Sequence, residues 1–531
     1  MPETADGRSV RYHWAQGGDV SAFLGLASDN VAQLIVFATL LIQVFGYPAD
    51  LVLQRMVPGT ALGVLLGDLL YTWMAFRLAR RTGRSDVTAM PLGIDTPSLF
   101  GLTLGVLGPL HQATGDPVLS WQAGMALMVC MGVCKIVLSF VAAPLARLLP
   151  GAALLGTIGA IGVLLIAFFP TLKVLSLPLV GLPTLLVGLL ALLRPPRMPL
   201  GIPPILLVVL LGTGLFYAAA ALGLVPGHAR SVPALTLAVP WPTLSFARGM
   251  EAALPYLPVA LPLALVTVIG GIDVTASAAA AGDAYSTRNV LLTEGVSTLL
   301  AGLCGGVIQT TPYIGHPAYK RMGGRAAYTL ATALFVGLGG VLGLLGLLVH
   351  AVPEVVLAPI LVFIGIEIAA QAFLSVPARH APAVAAAFLP VVAHLALLLL
   401  GQVLPGTGSG APTGAARTTM QTLTLLSSGF VLSSLLWGAC VAYSIDGRLA
   451  QAAAALLACG LGALFGLVHS PLPSGATFLP WRLPDRTPWL TAGGYLVAAI
   501  LLLLALPVVK KADDAAAGPP GPGHDKPATT A

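Results

Sequence analysis

Long apolar runs, separated by short breaks rich in Pro, Gly and charge, recur from residue 21 to residue 509, and no other feature limits the fold so strongly. About 20 consecutive apolar residues carry a helix across a bilayer, so the chain is an all-α polytopic membrane protein with no room for a large extramembrane domain. Charged residues make up only 9% of it, against roughly 25% in a soluble domain. That excludes a soluble enzyme and a nucleic-acid binder, and any function must be built inside the lipid bilayer. The net charge of +6 reflects loop arginines rather than an acidic partner.

The runs fall near 21–45, 58–76, 95–110, 121–143, 151–169, 174–193 and 203–224, then near 256–281, 290–308, 314–323, 326–350, 355–375, 383–403 and 421–443, with two more at 449–469 and 489–509. This reads as a cytoplasmic N-terminus (1–20), a seven-span repeat (21–225), an extracytoplasmic linker (226–255) with an interfacial helix at RGMEAAL, a second seven-span repeat (256–443), two additional spans (444–510) and a disordered cytoplasmic tail (511–531). An odd number of spans per half inverts the second half relative to the first. Of the 26 Lys and Arg, eighteen fall on the side holding the N-terminus, seven on the other, and Lys135 lies inside a span. An excess of Lys and Arg marks cytoplasmic loops, so both termini are expected in the cytoplasm and the protein in the plasma (inner) membrane. The first 20 residues do not read as a cleavable signal.

The third span of each half is short and broken. Thr88-Ala89-Met90-Pro91-Leu92-Gly93-Ile94-Asp95-Thr96-Pro97 precedes the first, and Gln309-Thr310-Thr311-Pro312-Tyr313-Ile314-Gly315-His316-Pro317 the second. Proline donates no backbone hydrogen bond and favours an extended predecessor, so each run is expected to be extended chain leading into a half-helix. Unwound backbone at membrane depth is tolerated where it is buried in protein or lines a cavity, and half-helix N-termini offer N–H groups to a polar substrate.

An ionisable group at the bilayer centre costs about 2.5–3.5 kcal/mol even on the lenient insertion scale, so acids in spans are expected to be paired, hydrated or used. Asp273 stands deep in the eighth span without a basic neighbour at helical spacing and is followed by Thr275 and Ser277. Asp95 opens the first half-helix, as an N-cap and a cavity residue at once. His316 holds the mirrored place. Asp29 and Asn30 share a polar face with Gln33 on the first span. Substrate contact is expected from Asp273, Asp95, His316, Thr311, Tyr313, Gly315, Thr96, Thr275, Asp29 and Asn30, and proton coupling from Asp273, Glu367 or His316. Asp68 reads as a partner of the nearby arginines and Lys135 as a snorkelling or paired cation. Asp95, Asp273 and His316 lack metal-ligand spacing, the five cysteines read as small apolar fillers, and no P-loop is present, so no metal, cofactor or ATP is expected.

The stretches VTVIGGIDVTASAAAAGDA, GVIQTTPYIGHPAYKRMGGRAAY and DVTAMPLGIDTPSLF resemble the eighth, tenth and third spans of the nucleobase-cation symporter-2 (xanthine/uracil permease) family, in its purine-permease-like branch, and the likeness covers roughly Val20 to Gln402. The resemblance implies fourteen spans in two inverted repeats, a core domain moving against a gate domain, a homodimer, and substrate held between the third and tenth spans by acids of the eighth and tenth. Asp273 matches the eighth-span acid. Gly315 stands where the tenth-span acid would be, with His316 beside it, and Asp95 adds an acid in the third span. The function so implied is secondary transport of a nucleobase or similar small heterocycle, such as a purine, xanthine or uracil, coupled to H⁺ or Na⁺. The alternative is a carrier of the same fold for a small inorganic or organic anion. A membrane-embedded enzyme or a sensor would need a catalytic constellation or a signalling domain, and neither is visible.

Overall fold

The computed structural model describes residues 12–141, 150–193, 204–225, 237–313, 315–344, 352–403, 414–472, 475 and 477–516. Among them, eight helices are long and apolar enough to cross a membrane, and the bent pair Gly414–Ser427 and Phe430–Ile445 meets the same test when taken together as one span. The first half comprises span 1 (Gly18–Val44), span 2 (Ala49–Thr82), the broken span 3, span 4 (Pro117–Leu138), span 5 (Gly151–Ser176), span 6 (Pro178–Leu193) and span 7 (Pro204–Ala221). A short amphipathic helix, Ser245–Ala253, then packs on span 4. The second half comprises span 8 (Leu257–Ala280), span 9 (Thr287–Leu303), the broken span 10, span 11 from Ala327, span 12 (Glu354–Leu374), span 13 through Phe388–Val403, and the bent span 14. Spans 15 (Leu449–Leu464) and 16 (Thr487–Ala516) follow, and span 16 packs along span 15 with few of its residues through Pro507 buried. This is a polytopic helical protein of two inverted seven-span repeats plus two spans.

The tail expected to be disordered from residue 511 instead stays helical to Ala516. Alanine, three of the six residues 511–516, is the strongest helix former. The rest of that tail, 517–531, and the N-terminal residues 1–11 lie outside the described residues.

Both broken spans contain a strand before a helix. In span 3, β1 (Leu92–Ile94) precedes a helix that starts at Thr96–Leu102, passes through a π turn at Thr103–Leu107 and ends at Gly108–Thr114. In span 10, β2 (Thr310–Pro312) precedes the short helix His316–Arg321. The strands pair antiparallel, Leu92 with Pro312, Gly93 with Thr311 and Ile94 with Thr310. The Tyr313 N–H donates to the Pro91 carbonyl (2.9 Å) and the Asp95 N–H to the Gln309 carbonyl (3.0 Å), extending the ladder at both ends. Pairing is the physical answer to extended chain in lipid, where each unsatisfied backbone group costs several kcal/mol.

A two-stranded ribbon still has two free edges, and buried side chains close them. The Leu92 N–H donates to Asp68 Oδ1 (3.1 Å) and the Ile94 N–H to Asn30 Oδ1 (3.0 Å), while the Thr310 carbonyl accepts from Lys135 Nζ (3.0 Å). Asp68, Asn30 and Lys135 are all fully buried. Asp68 thus holds a strand rather than the arginines expected from sequence, and Lys135 pairs with Glu294 of span 9 at 2.8 Å. Spans 1, 2, 4 and 9 and the ribbon form one core. Spans 5 and 12 cross in the gate at Gly162 and Gly365, where a Cβ on Gly365 would collide with the Gly162 backbone. Val266 and Ile269 of span 8 pack against Leu435, Ala439 and Tyr443 of span 14, joining core to gate.

Candidate functional site

Where the ribbon meets span 1, four side chains from three spans converge. Gln33, buried on span 1, donates through Nε2 to Asp29 Oδ2 (3.0 Å) and to the Tyr313 hydroxyl (2.7 Å), and its Oε1 accepts from Thr96 Oγ1 (2.9 Å). The Tyr313 hydroxyl also reaches the Ile94 carbonyl (3.3 Å). Gly93 makes room for this: a Cβ there would fall on the Tyr313 ring. Asp29, Thr96 and Tyr313 are partly exposed, so the cluster has a buried hub and an accessible rim.

Asp95 caps the span 3 helix. Its Oδ2 accepts from the Ser98 N–H (2.9 Å) and from Gln309 Nε2 (3.1 Å). This N-terminus is therefore served by the chain's own carboxylate, and Pro97 removes a further N–H. Asp273 is exposed on span 8, one turn beyond Ile269 and Gly270, and a Cβ on Gly270 would meet nothing within 4 Å. It thus borders open space beside the contact between span 8 and the gate.

The remaining expected residues go elsewhere. Asn30 spends its carbonyl oxygen on the Ile94 N–H and its amide on the Leu26 carbonyl (3.0 Å), so it is a strut behind the cluster. Thr275 is buried and bonds the Gly271 carbonyl (2.7 Å) of its own helix. Thr311 stands opposite Gly93 in the ribbon, and Gly315 precedes the helix His316–Arg321, its carbonyl accepting from the Ala318 and Tyr319 N–H groups (2.9 and 3.0 Å). Glu367 accepts from Gln371 (3.1 Å) on its own span, away from the cluster. Gln309 and the pair Lys135–Glu294, which support the site from behind, are not among the expected contacts. Their partners lie far apart in sequence, and no local spacing rule marks them.

His316 is turned away from the cluster. Fully buried, it places Nε2 3.2 Å from the Thr88 carbonyl and 3.4 Å from Asp283 Oδ2. Asp283 lies in the loop after span 8 and gathers Lys320 Nζ (2.7 Å), Arg84 Nη1 (3.3 Å) and the Thr88 N–H (3.1 Å). Burial pushes its carboxyl pKa up, but His316, Lys320 and the Thr88 N–H outweigh burial and hold it below the ordinary value. A carboxyl depressed by folding adds stability above its unfolded pKa of about 3.9, and this is lost as pH falls through the lower folded value. Thermal unfolding from pH 6 to pH 3 should show the gap between wild type and Asp283→Asn narrowing with acid. A gap constant over that range would mean that the charge of Asp283 contributes nothing.

No family model matches the chain, and no curated protein matches it. Solved structures do. The transmembrane domain of a cyanobacterium bicarbonate transporter, BicA, is similar at a TM-score of 0.50 and 18% identity, covering 74% of this chain and 97% of that one. SLC26A9 matches at 0.48 with 14% identity over 72% of this chain and 65% of its own, and murine Slc26a9, an anion transporter in the inward-facing state, at 0.49 with 14% identity over 75% and 69%. The fold is that of the BicA transmembrane domain. The resemblance to the nucleobase-cation symporter-2 family is overturned, because the structure matched at a TM-score of 0.50 is the transmembrane domain of a bicarbonate transporter. Its physical basis was the pair of Thr-, Pro- and Gly-rich breaks. Those build the strand pair and half-helices of the fold and carry no information about cargo.

Proposed function

We propose that the chain is a secondary carrier of a small anion, moved together with H⁺ or Na⁺ across the plasma membrane, with both termini in the cytoplasm. The observation that carries this reading is the cluster of Asp29, Gln33, Thr96 and Tyr313 at the meeting point of the two broken spans. BicA, whose transmembrane domain shares the fold, is by its name a bicarbonate transporter. The Thr96 and Tyr313 hydroxyls are neutral donors that can turn from Gln33 and the Ile94 carbonyl to an oxyanion.

The acids supply the reason for coupling. An anion held about 6 Å from an ionised Asp29 would be repelled by about 3 kcal/mol at an effective dielectric of about 20. A proton or Na⁺ on Asp29 or Asp273 removes that repulsion. It also cancels the cost of moving a negative charge into a negative cell interior, about 2.3 kcal/mol per 100 mV. Asp273, exposed where span 8 borders the gate, is the acid assigned to the coupling ion. Alternating access would come from movement of the core against the gate.

Reconstituted protein should accumulate bicarbonate, sulfate, chloride or a small carboxylate under an inward H⁺ or Na⁺ gradient. Accumulation of uracil or xanthine with none of these anions would overturn the reading. Asp273→Asn should lose gradient-driven accumulation, about tenfold for each tenfold inward H⁺ or Na⁺ gradient, since an anion moving with one cation carries no net charge across the potential, while remaining folded. Unimpaired accumulation would remove Asp273 from the coupling role.

A further inference from the structure

A cavity of about 500 Å³ lies between core and gate beside the break in span 14. None of Asp29, Gln33, Thr96 or Tyr313 lines it. Its contact with span 3 begins at Gly105, roughly 13 Å along the helix from Thr96 at 1.5 Å per residue. The two sites are therefore separate.

The break has a definite construction. Gly414–Ser427 and Phe430–Ile445 meet at 76° through Gly429, whose φ of +66° lies in the left-handed region that favours glycine. A Cβ on Gly429 would also strike the Leu467 carbonyl. The loop between spans 15 and 16 holds the corner: the His469 N–H donates to the Ser428 carbonyl (3.1 Å), its Nδ1 lies 3.0 Å from the Leu425 carbonyl, and its Nε2 lies 2.7 Å from the Tyr495 hydroxyl of span 16. The two additional spans thus brace this corner and, through Leu467 and Gly475, contribute part of the cavity wall.

Breaking a span exposes a helix start. Phe430–Ile445 has 16 residues and no side-chain cap, so its first N–H groups have no intrahelical partner and its positive dipole end faces the break. Ser428, only 9% exposed, lines the same cavity, and its Oγ has no hydrogen-bond partner among the described residues. His394 stacks on Phe430 at 4.1 Å and sets Nδ1 3.0 Å from Ser427 Oγ, which leaves Nε2 buried without a partner. A buried polar group without a partner costs free energy, and a ligand would supply one. Among the described residues no Asp, Glu, Lys or Arg lines the cavity, and Leu397, Leu398 and Val259 form much of its apolar wall.

We propose that this cavity is a second ligand site, for a small amphiphilic carboxylate. The carboxylate meets Ser428 and the N-terminus of Phe430–Ile445, and the apolar body lies against Leu397 and Leu398. The volume falls within the range of roughly 300–1,000 Å³ typical of small-molecule pockets. Anion preference follows from the uncapped N-terminus of Phe430–Ile445, because His469 occupies the Leu425 and Ser428 carbonyls at the end of Gly414–Ser427, and from the absence of acids among the described lining residues, while the apolar walls disfavour a fully hydrated inorganic ion.

Benzoate is a suitable probe, with binding measured on purified full-length protein by equilibrium dialysis and by thermal shift, since a ligand of the native state raises its stability. Saturable binding is expected. Ser428→Ala should weaken it about tenfold or more, the loss of a hydrogen bond to a charged group. Gly401→Trp should abolish it by filling the cavity from a lining position where an added Cβ meets nothing within 4 Å. Tyr313→Phe, altered only in the central cluster, should bind as the wild type does. Unchanged binding by Gly401→Trp, loss of binding in Tyr313→Phe, or equal affinity for benzyl alcohol would each overturn the proposal, as would absence of saturable benzoate binding by the wild type.

Discussion

Lys135→Met should destabilise the protein by about 3–5 kcal/mol, the usual cost of removing one partner of a buried ion pair. Lys135 and Glu294 are both fully buried and 2.8 Å apart. Removing the ammonium leaves the Glu294 carboxylate uncompensated in the core and withdraws the donor from the Thr310 carbonyl, at the ribbon edge. Methionine keeps the length and most of the volume of lysine, so the loss reads charge rather than a cavity. The measurement is reversible unfolding in mixed micelles, compared with the double variant Lys135→Met/Glu294→Leu. Replacing a buried pair by apolar residues is often neutral or stabilising, so the double variant should recover most of the loss. If it is as unstable as the single variant, the stability at this point comes from packing and not from the pair.

Gly93→Ala should lower transport about tenfold or more, the scale set by losing hydrogen bonds in a buried network, while adding a single methyl group and no charge. A Cβ at this position would lie 2.7 Å from Tyr313 Cε1 and closer still to the end of the ring. The ring must swing away, breaking the contact of its hydroxyl with Gln33. A second change separates strain from function. Tyr313→Leu in the Gly93→Ala background should recover thermal stability, because the clash is relieved, without recovering uptake, because the hydroxyl is gone. Full uptake by Gly93→Ala would mean that Tyr313 is a spacer and not part of the site.

The fold was legible because its causes are local. Apolar runs mark spans, and Pro91, Pro97, Pro312 and Pro317 mark where spans 3 and 10 must open. The site was legible in part for the same reason. Asp29 and Gln33 share a helix face by spacing, and Tyr313 follows the second break. What failed was side-chain direction. Asn30 and His316 sit beside the expected residues in sequence, yet the first faces the strand edge and the second faces Asp283. An unpaired N–H on a ribbon and an acid in a distant loop decide those orientations, and neither is visible from spacing. Lys135 reads from the sequence as a snorkelling or paired cation, but its partner Glu294 was hidden for a similar reason: the purpose of the pair appears only once β2 is known to have an open edge. The family was misread because the residues that looked family-specific serve the backbone.

The ribbon also sets a schedule for biogenesis. Tyr313 closes on Ile94 from 219 residues farther along the chain. At a synthesis rate of about 5–20 residues per second, roughly 10–45 s pass between the emergence of one strand and that of its partner. During that interval the first half waits in the membrane with β1 unpaired and the acids Asp68 and Asp95 without their final surroundings. An insertion intermediate of this kind needs a polar shelter, provided by the translocation machinery or by water, until the second half arrives. A ribosome-arrested chain ending shortly before Thr310 should therefore remain open to water at Gly93, whereas one extended well past Tyr328 should not.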